Sequence, residues 1–212
     1  MRTYNDLCGI ARALDVIGER WALLVVRELM LGPKRFSDLR KGLPGVGPDM
    51  LAARLRDLEA AGVVARRKLE PPANARVYEL TDKGRALRPA LLELGRWGSS
   101  LPPRPDAAFS PDSAVLALAT LFDPEADPRL EATFALRLDG QMFTARVAGG
   151  EIDVSRGSPP EPAATISASP RTLAAVLWHG CEPAAAERAG ELEIDGDRHA
   201  VRRFLGLFPL SA

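Results

Sequence analysis

The segment that most constrains this fold spans residues 47–64, because it has the features of one helix with a defined start and end. Pro48 suits the first helical turn, where a missing backbone N–H leaves no hydrogen bond unmade. Gly62 suits the left-handed residue that commonly ends a helix. Three leucines recur at helical spacing and form the predicted buried side: Leu51, Leu55 and Leu58.

The opposite side of this helix has the composition of a contact surface. Its residues are Asp49, Ala53, Arg56 and Ala60, with Arg54 on a flank. Small side chains beside a cation allow a helix to approach a flat, negative surface closely, and the major groove of DNA is such a surface. An ordinary amphipathic helix shows the same spacing, so the segment alone leaves both interpretations open.

The neighbouring residues predict a winged helix-turn-helix. A short helix is predicted over residues 36–43, and a glycine-containing turn joins it to the next helix. Two further helices are predicted upstream, over residues 7–17 and 19–31. Downstream, two strand-like runs flank the turn P-P-A-N and predict a hairpin. Its basic residues are Arg66, Arg67, Lys68 and Arg76. In a winged helix the tip of such a hairpin contacts the sugar-phosphate backbone, whereas the ordinary alternative for a charge run is a solvated face.

Thr81 predicts the start of another helix, which continues to residue 98. Its apolar side has no second element to cover it within the first half of the chain. The residues of that side are Leu87, Ala90, Leu91, Leu94 and Trp97. The sequence leaves open whether a partner subunit or the second half of the chain covers them.

The charges divide unevenly between the two halves. Residues 1–100 carry 18 Lys and Arg against 12 Asp and Glu, and residues 101–212 carry 10 against 16. A positive first half suggests a polyanionic partner. Two cysteines are too few for a disulfide framework, and neither a secretory signal nor a membrane-spanning run is found. We therefore expect a cytoplasmic protein that does not act at a membrane.

The first hundred residues resemble the HxlR branch of the MarR-like winged-helix regulators. The resemblance is carried by residues 8–21, 27–39, 51–64 and 77–87, with Trp97 behind them. It implies a homodimer on an inverted-repeat operator, with residues 48–61 in the major groove of double-stranded DNA. The residues that the resemblance places at DNA are Arg35, Ser37, Asp49, Ala53, Arg54 and Arg56, with Lys68, Asn74 and Arg76 of the wing beside them.

Two positions qualify the resemblance. The family's recognition helix usually begins with Ser, Lys or Arg, whereas here it begins Gly-Pro-Asp-Met. A carboxylate at Asp49 is unfavourable near phosphates unless it caps the helix or accepts a hydrogen bond from cytosine, so the bases read stay open. Some family members sense electrophiles or oxidants through a cysteine near the N-terminus, and Cys8 occupies that place. Arg12 would supply a positive charge to the thiol, and a buried, inert cysteine is the alternative.

The second half predicts an α+β domain with an antiparallel sheet. A Pro-rich linker over residues 101–110 separates the predicted domains 1–100 and 111–212. Helices are expected over residues 112–122, 169–180 and 197–208, and strands over 130–139, 141–148, 151–156, 164–168 and 191–196.

The order of these elements resembles the sterol-carrier-protein fold, in which a sheet and helices enclose an apolar tunnel. The resemblance implies that the domain binds an apolar effector. The tentative lining residues are Leu118, Phe122, Phe134, Leu173, Leu177, Trp178, Phe204 and Phe208. Each of these side chains also fits an ordinary core position.

No catalytic pattern accompanies these features. His179 and His199 are the only histidines, and the pair His179 and Cys181 falls short of the three or four protein ligands that zinc requires. We therefore expect no enzyme activity, no metal and no cofactor. The sequence favours a DNA-binding transcriptional regulator. The alternative is an apolar-ligand carrier whose first half is a protein-interaction module.

Overall fold

The computed structural model describes residues 3–70, 74–102 and 107–210. The chain divides into two compact units, Met1–Leu91 and Leu92–Ala212, and each unit is described by itself. The predicted turn at residues 71–73 and residues 103–106 of the predicted linker lie outside the described residues.

The first unit contains the predicted helices and hairpin. Its elements are α1 (Gly9–Ile17), α2 (Ala22–Leu29), α3 (Phe36–Gly42), α4 (Pro48–Ala60), β1 (Val64–Lys68), β2 (Arg76–Leu80) and α5 (Asp82–Arg85). The next helix, α6 (Arg88–Ser99), contains the boundary between the units. The single helix predicted after Thr81 is wrong, because Pro89 lacks the N–H that would continue α5 and is accepted only in the first turn of a new helix.

The core of the first unit forms around α2 and α4. The predicted buried side of α4 is confirmed, since Leu51, Leu55 and Leu58 are each at most 1% exposed. Val25 and Val26 of α2 are fully buried in the same core. Gly62 adopts the left-handed conformation at φ +69°, as expected of a residue that follows a helix end.

The hairpin forms a wing that has a third, one-residue strand. Strands β1 and β2 pair antiparallel from Val64 with Leu80 to Lys68 with Arg76. Lys34, which precedes α3, makes an isolated antiparallel bridge to Tyr78 of β2. The wing is therefore hydrogen-bonded to the segment that joins α2 to α3.

The second unit is built on a five-stranded sheet. Its elements after α6 are α7 (Pro111–Leu121), β3 (Ala132–Leu138), β4 (Gln141–Ala148), β5 (Glu151–Arg156), β6 (Ala164–Ala168), α8 (Pro170–Trp178), α9 (Pro183–Arg188), β7 (Leu192–Gly196) and α10 (Arg198–Leu205). The strand order is β5-β4-β3-β6-β7. Helix α9 was not predicted, because six residues are too few for a clear helical period.

The sheet is mixed rather than wholly antiparallel. Three of its pairings are antiparallel, but β3 and β6 run parallel, with Phe134 opposite Ala164. The expected antiparallel order is wrong at this pair because the chain crosses from the β5 edge to the far side of β3 before β6 begins.

One face of the sheet carries the core of the second unit. Phe134, Leu136 and Leu138 alternate along β3 and are all fully buried. The opposite face carries more polar side chains, and it exposes Arg137 and Arg146. Within the described residues, no helix is long and apolar enough to cross a membrane.

Candidate nucleic-acid interface

Helix α4 presents a small, partly charged outer side. Gly47 precedes it in an extended conformation, and Pro48 occupies its first turn. Asp49 and Arg56 are exposed, and Ala53 is half-buried. Met50 is 45% exposed on the same helix. Met50 was not predicted to face DNA, although it directly precedes Leu51, which was predicted to be buried.

The position of Asp49 gives a physical reason for an acid in this helix. It lies in the first turn of α4, where backbone N–H groups have no intrahelical acceptor. A carboxylate near the N-terminal end of a helix is favoured by the helix dipole. Gly47 at the N-cap has no side chain that could cap the helix, and Asp49 is the acidic residue of its first turn.

The two arginines of α4 have different surroundings. The side chain of Arg54 is 14% exposed, and its guanidinium lies 3.4 Å from Glu19 and 3.2 Å from Asp57. Arg56 is exposed and makes no ion pair within the described residues. The charge of Arg54 is thus largely balanced inside the unit, whereas that of Arg56 faces solvent.

The basic residues of the wing also divide into those that form ion pairs and those that face solvent. Arg66 pairs with Glu59 of α4 at 2.9 Å, and Arg67 pairs with Glu79 at 2.9 Å. Lys68 and Arg76 stand directly opposite each other at the end of the two strands, both exposed. Like charges in this arrangement repel each other, so an anion between or beside them would be favourable.

The remaining predicted positions are also at the surface. Arg35 precedes α3 in an extended conformation and is exposed, as is Ser37 in the first turn of that helix. Asn74 is exposed where the chain enters β2, with φ +33°. These placements do not test DNA contact, which stays a prediction for each residue of the set.

Comparison with known proteins identifies the first half of the chain. Residues 16–105 match the family described as HxlR-like helix-turn-helix. The HTH-type transcriptional regulator YvaP of Bacillus subtilis is 40% identical over 97 residues, which are 45% of this chain and 89% of YvaP. The chain belongs to the HxlR-like helix-turn-helix family. It is therefore a transcriptional regulator with a DNA-binding domain of the HxlR type.

Other relatives of the HxlR-like chain carry the same description. The HTH-type transcriptional regulator Rv3095 of Mycobacterium tuberculosis is 34% identical over 138 residues, which are 65% of this chain and 81% of Rv3095. Among solved structures, the reduced form of the regulator YodB from Bacillus subtilis is 34% identical with a TM-score of 0.41, covering 45% of this chain and 95% of that one.

The second half of the HxlR-like chain belongs to a second family. Residues 99–209 match the SCP-2 sterol transfer family. The resemblance to sterol-carrier proteins is therefore confirmed at the level of the family. The chain combines a winged helix-turn-helix with a domain from a lipid-transfer family.

The predicted ligand-lining residues of the HxlR-like chain fall into two groups. Leu118, Phe134, Leu173, Phe204 and Phe208 are at most 1% exposed, and Phe122, Leu177 and Trp178 are half-buried. The phenylalanine rings form a continuous series. Ring centroids are 4.4 Å apart for Phe134 and Phe204, 5.0 Å for Phe204 and Phe208, and 6.3 Å for Phe122 and Phe208.

Trp178 connects two parts of the second unit to this aromatic series. Its indole N–H donates a hydrogen bond of 3.1 Å to the carbonyl oxygen of Phe208. Its ring makes an edge contact with Phe109, with centroids 6.5 Å apart. Ligand contact by any of the predicted lining residues stays a prediction.

The predicted thiol site is at the surface of the HxlR-like chain. Cys8 is exposed and directly precedes α1, and its backbone N–H donates to the carboxylate of Asp6 at 2.8 Å. The exposure that a reactive thiol requires is thus present, and the buried alternative does not describe this placement. His179 and His199 are both exposed. Among the described residues, no three His, Cys, Asp or Glu side chains form a group that could hold a metal ion.

Proposed function

We propose that the protein is a homodimeric regulator that binds an inverted-repeat operator, with α4 in the major groove and the wing on the phosphate backbone. The observation that carries the proposal is the opposed pair Lys68 and Arg76 at the end of the wing. Neither cation makes an ion pair within the described residues, and their mutual repulsion is relieved by a phosphate. The exposed Arg56 of α4 adds a group that can bind a guanine edge.

Exposed apolar residues on two helices support the dimer. On α1, Ile10 is 73% exposed and Leu14 is 40% exposed, and they are one helical turn apart. On α6, Leu94 is 47% exposed and Trp97 is 63% exposed. Such apolar rows on a soluble domain are typical of surfaces that a second copy covers.

The contacts of α6 inside the second unit favour the partner over the chain's own second half as the cover. Arg96 of α6 donates a hydrogen bond of 2.9 Å to the carbonyl oxygen of Thr120 on α7. The Cβ position of Gly95 lies 3.2 Å from the side chain of Thr120. Helix α6 thus contacts α7 through Gly95 and Arg96, while Leu94 and Trp97 remain exposed.

The DNA proposal is tested by titrating the full-length chain against the DNA upstream of its own gene. We expect a two-fold symmetric footprint, two protomers per site, and half-sites about one helical turn apart. Absence of DNA binding at every salt concentration would favour the alternative of an apolar-ligand carrier with a protein-interaction module. The match of residues 99–209 to a lipid-transfer family is the observation that keeps this alternative in view.

We further propose that the second domain receives an apolar effector. The family of this domain supports such a ligand, and the side chains of the aromatic series are its proposed apolar lining. Cis-parinaric acid is a suitable fluorescent probe, because its emission rises when it leaves water. We expect the probe to bind and to release the operator fragment. Probe binding without any change in DNA affinity would contradict the role as effector while leaving the lipid site in place.

A further inference from the structure

A fully buried acid lies inside the first unit, and none of the proposed DNA contacts uses it. Glu28 of α2 has no exposed side-chain surface, and its carboxylate pairs with Arg27 at 2.9 Å and with Lys34 at 2.5 Å. The side chain of Lys34 is only 7% exposed. Apolar residues of similar size often serve stability as well as a buried ion pair does. Stability alone therefore does not explain this cluster, and the elements that it connects indicate its role.

Lys34 belongs to the wing through its backbone. Its N–H donates a hydrogen bond of 3.0 Å to the carbonyl oxygen of Tyr78, and its carbonyl oxygen accepts one of 2.8 Å from the N–H of Tyr78. Tyr78 is paired with Arg66 across the wing, and the guanidinium of Arg66 lies 5.1 Å from the centre of the Tyr78 ring. A side chain that fixes the position of Lys34 therefore also fixes the position of the wing sheet.

The same carboxylate packs on the end of α3. A Cβ atom at Gly42, the last residue of α3, would stand 2.0 Å from Oε2 of Glu28. This is the oxygen that accepts the hydrogen bond from Nζ of Lys34. Oε2 of Glu28 thus contacts both the end of α3 and Lys34, whose backbone forms the one-residue strand of the wing.

We propose that Glu28 is a positioning residue for DNA binding, whose carboxylate fixes the wing against the helix-turn-helix. The spacing between the phosphate contacts of the wing and the base contacts of α4 follows from this tie. The proposal rests on the proposed function, because it requires the wing to contact DNA. A second tie, Arg66 with Glu59 of α4, is 54% exposed on the arginine side. Salt screens the exposed pair of Arg66 and Glu59 far more than the buried pair of Glu28 and Lys34.

The test is a double-mutant cycle in the full-length chain, combining Glu28→Gln on the tie with Arg76→Ala on the wing. Arg76→Ala alone is expected to weaken operator binding roughly five- to ten-fold, as the loss of a phosphate contact. In the Glu28→Gln background the same change is expected to cost less than about two-fold, because the wing no longer reaches its phosphate. Protein concentrations are set by titration of the DNA-competent fraction, so partial unfolding does not alter the result.

The outcomes separate the two proposals. No effect of Arg76→Ala in the wild-type chain contradicts wing contact and thus the proposed function. A full effect in both backgrounds contradicts the positioning role alone, since the wing then keeps its place without Glu28. The salt dependence is a second readout. Glu28→Gln is expected to make the slope of log K against log salt less negative, because fewer phosphates are contacted. A merely structural role would leave this slope unchanged. The matched control is Glu131→Gln, since Glu131 is exposed and makes no ion pair within the described residues.

A second variant applies if Glu28→Gln does not fold. The double substitution Glu28→Met and Lys34→Met replaces both charges with side chains of similar length, and such neutral pairs are often well tolerated in cores. The tie is absent in this variant, so Arg76→Ala is again expected to cost less than about two-fold. A folded variant, checked by circular dichroism, in which Arg76→Ala keeps its full effect overturns the proposal.

Discussion

Arg56 and Arg76 carry the same guanidinium group in different surroundings. Arg56 lies on the exposed side of α4, and Arg76 lies at the end of the wing opposite Lys68. A cation on a recognition helix reads base edges, whereas a cation on a wing neutralises phosphates that are alike in every sequence. We therefore expect Arg56 to contact base edges and Arg76 to contact phosphates.

This difference predicts distinct results for two alanine substitutions. Arg56→Ala is expected to cost about 1–3 kcal/mol on the operator and to relax the preference for it over unrelated DNA. Arg76→Ala is expected to weaken binding by a similar factor on operator and unrelated DNA alike. Fluorescence anisotropy with both DNA fragments measures the two ratios. Equal loss of sequence preference in both variants would contradict the assignment.

Asp127 and Arg203 form one of the ion pairs of the second unit, with two short contacts of 2.6 and 2.9 Å. Hydrogen bonds from Arg203 hold the pKa of Asp127 below its usual value of 3.8. An acid with a lowered pKa stabilises the fold above its unfolded pKa, and this contribution is lost as the pH falls through the lowered value. The carboxylate thus contributes at neutral pH and ceases to contribute in strong acid.

We therefore expect Asp127→Asn to lower the Tm at pH 7 and to lower it less at pH 2.5, because the contribution of the carboxylate declines as the pH falls below its unfolded value toward the lowered pKa. Thermal unfolding followed by circular dichroism at both pH values makes the comparison. Asp195→Asn serves as the control, since Asp195 is exposed and makes no ion pair within the described residues. An equal loss of Tm at both pH values would argue against a charge effect.

The junction of α5 with the wing shows how closely elements approach in the first unit. The side chain of Thr81 caps α5 by accepting from the N–H of Gly84, and its hydroxyl also donates to the carbonyl oxygen of Gly62 at 2.7 Å. A Cβ atom at Gly84 would stand 2.2 Å from the carbonyl oxygen of Val63. The approach of these two backbones requires glycine at this position.

Gly84→Ala is accordingly expected to destabilise the first unit by about 1–3 kcal/mol, as other overpacked positions do. Gly9→Ala is the matched control in the same unit, because the Cβ position of Gly9 in α1 has open space and alanine favours a helix. Urea denaturation of both variants gives the comparison. A free energy of unfolding for Gly84→Ala equal to that of the control would show that the backbone moves apart without cost.

At this scale the sequence predicts elements better than their arrangement. The leucine spacing and the flanking Pro48 and Gly62 placed α4 within a few residues of its observed bounds, because both depend on local backbone chemistry. Alternation along a strand specifies which face is buried and not which strand is the neighbour, so the parallel pair of β3 and β6 was missed. The pairing of Arg54 with Glu19 was missed for the same reason, since it joins residues distant in sequence.

The whole chain has zero formal net charge, but residues 1–100 carry 18 Lys and Arg against 12 Asp and Glu. Three of the cations predicted to face DNA lie outside α4, namely Arg35, Lys68 and Arg76, and none makes an ion pair within the described residues. We expect each of the three to contact a phosphate. Each neutralised phosphate releases a counterion, so the affinity of a dimer depends on twice the contacts of one protomer.

This reasoning predicts the salt dependence of operator binding. Six phosphate contacts per dimer correspond to a slope of log K against log salt of roughly −5. Titrations at several potassium chloride concentrations measure it, with the protein kept above its dimerisation constant. A slope near −2.5 would instead indicate that one protomer contacts the DNA.

The space beside Gly42 has a consequence for how this sequence can diverge. Because the Glu28 carboxylate already occupies the place of a side chain at residue 42, a larger residue at position 42 would have to displace that carboxylate. Relatives that carry alanine or a larger residue at the position of Gly42 are expected to carry a shorter residue at that of Glu28. Substitutions at the two positions are therefore expected to occur together, although fourteen positions of sequence separate them.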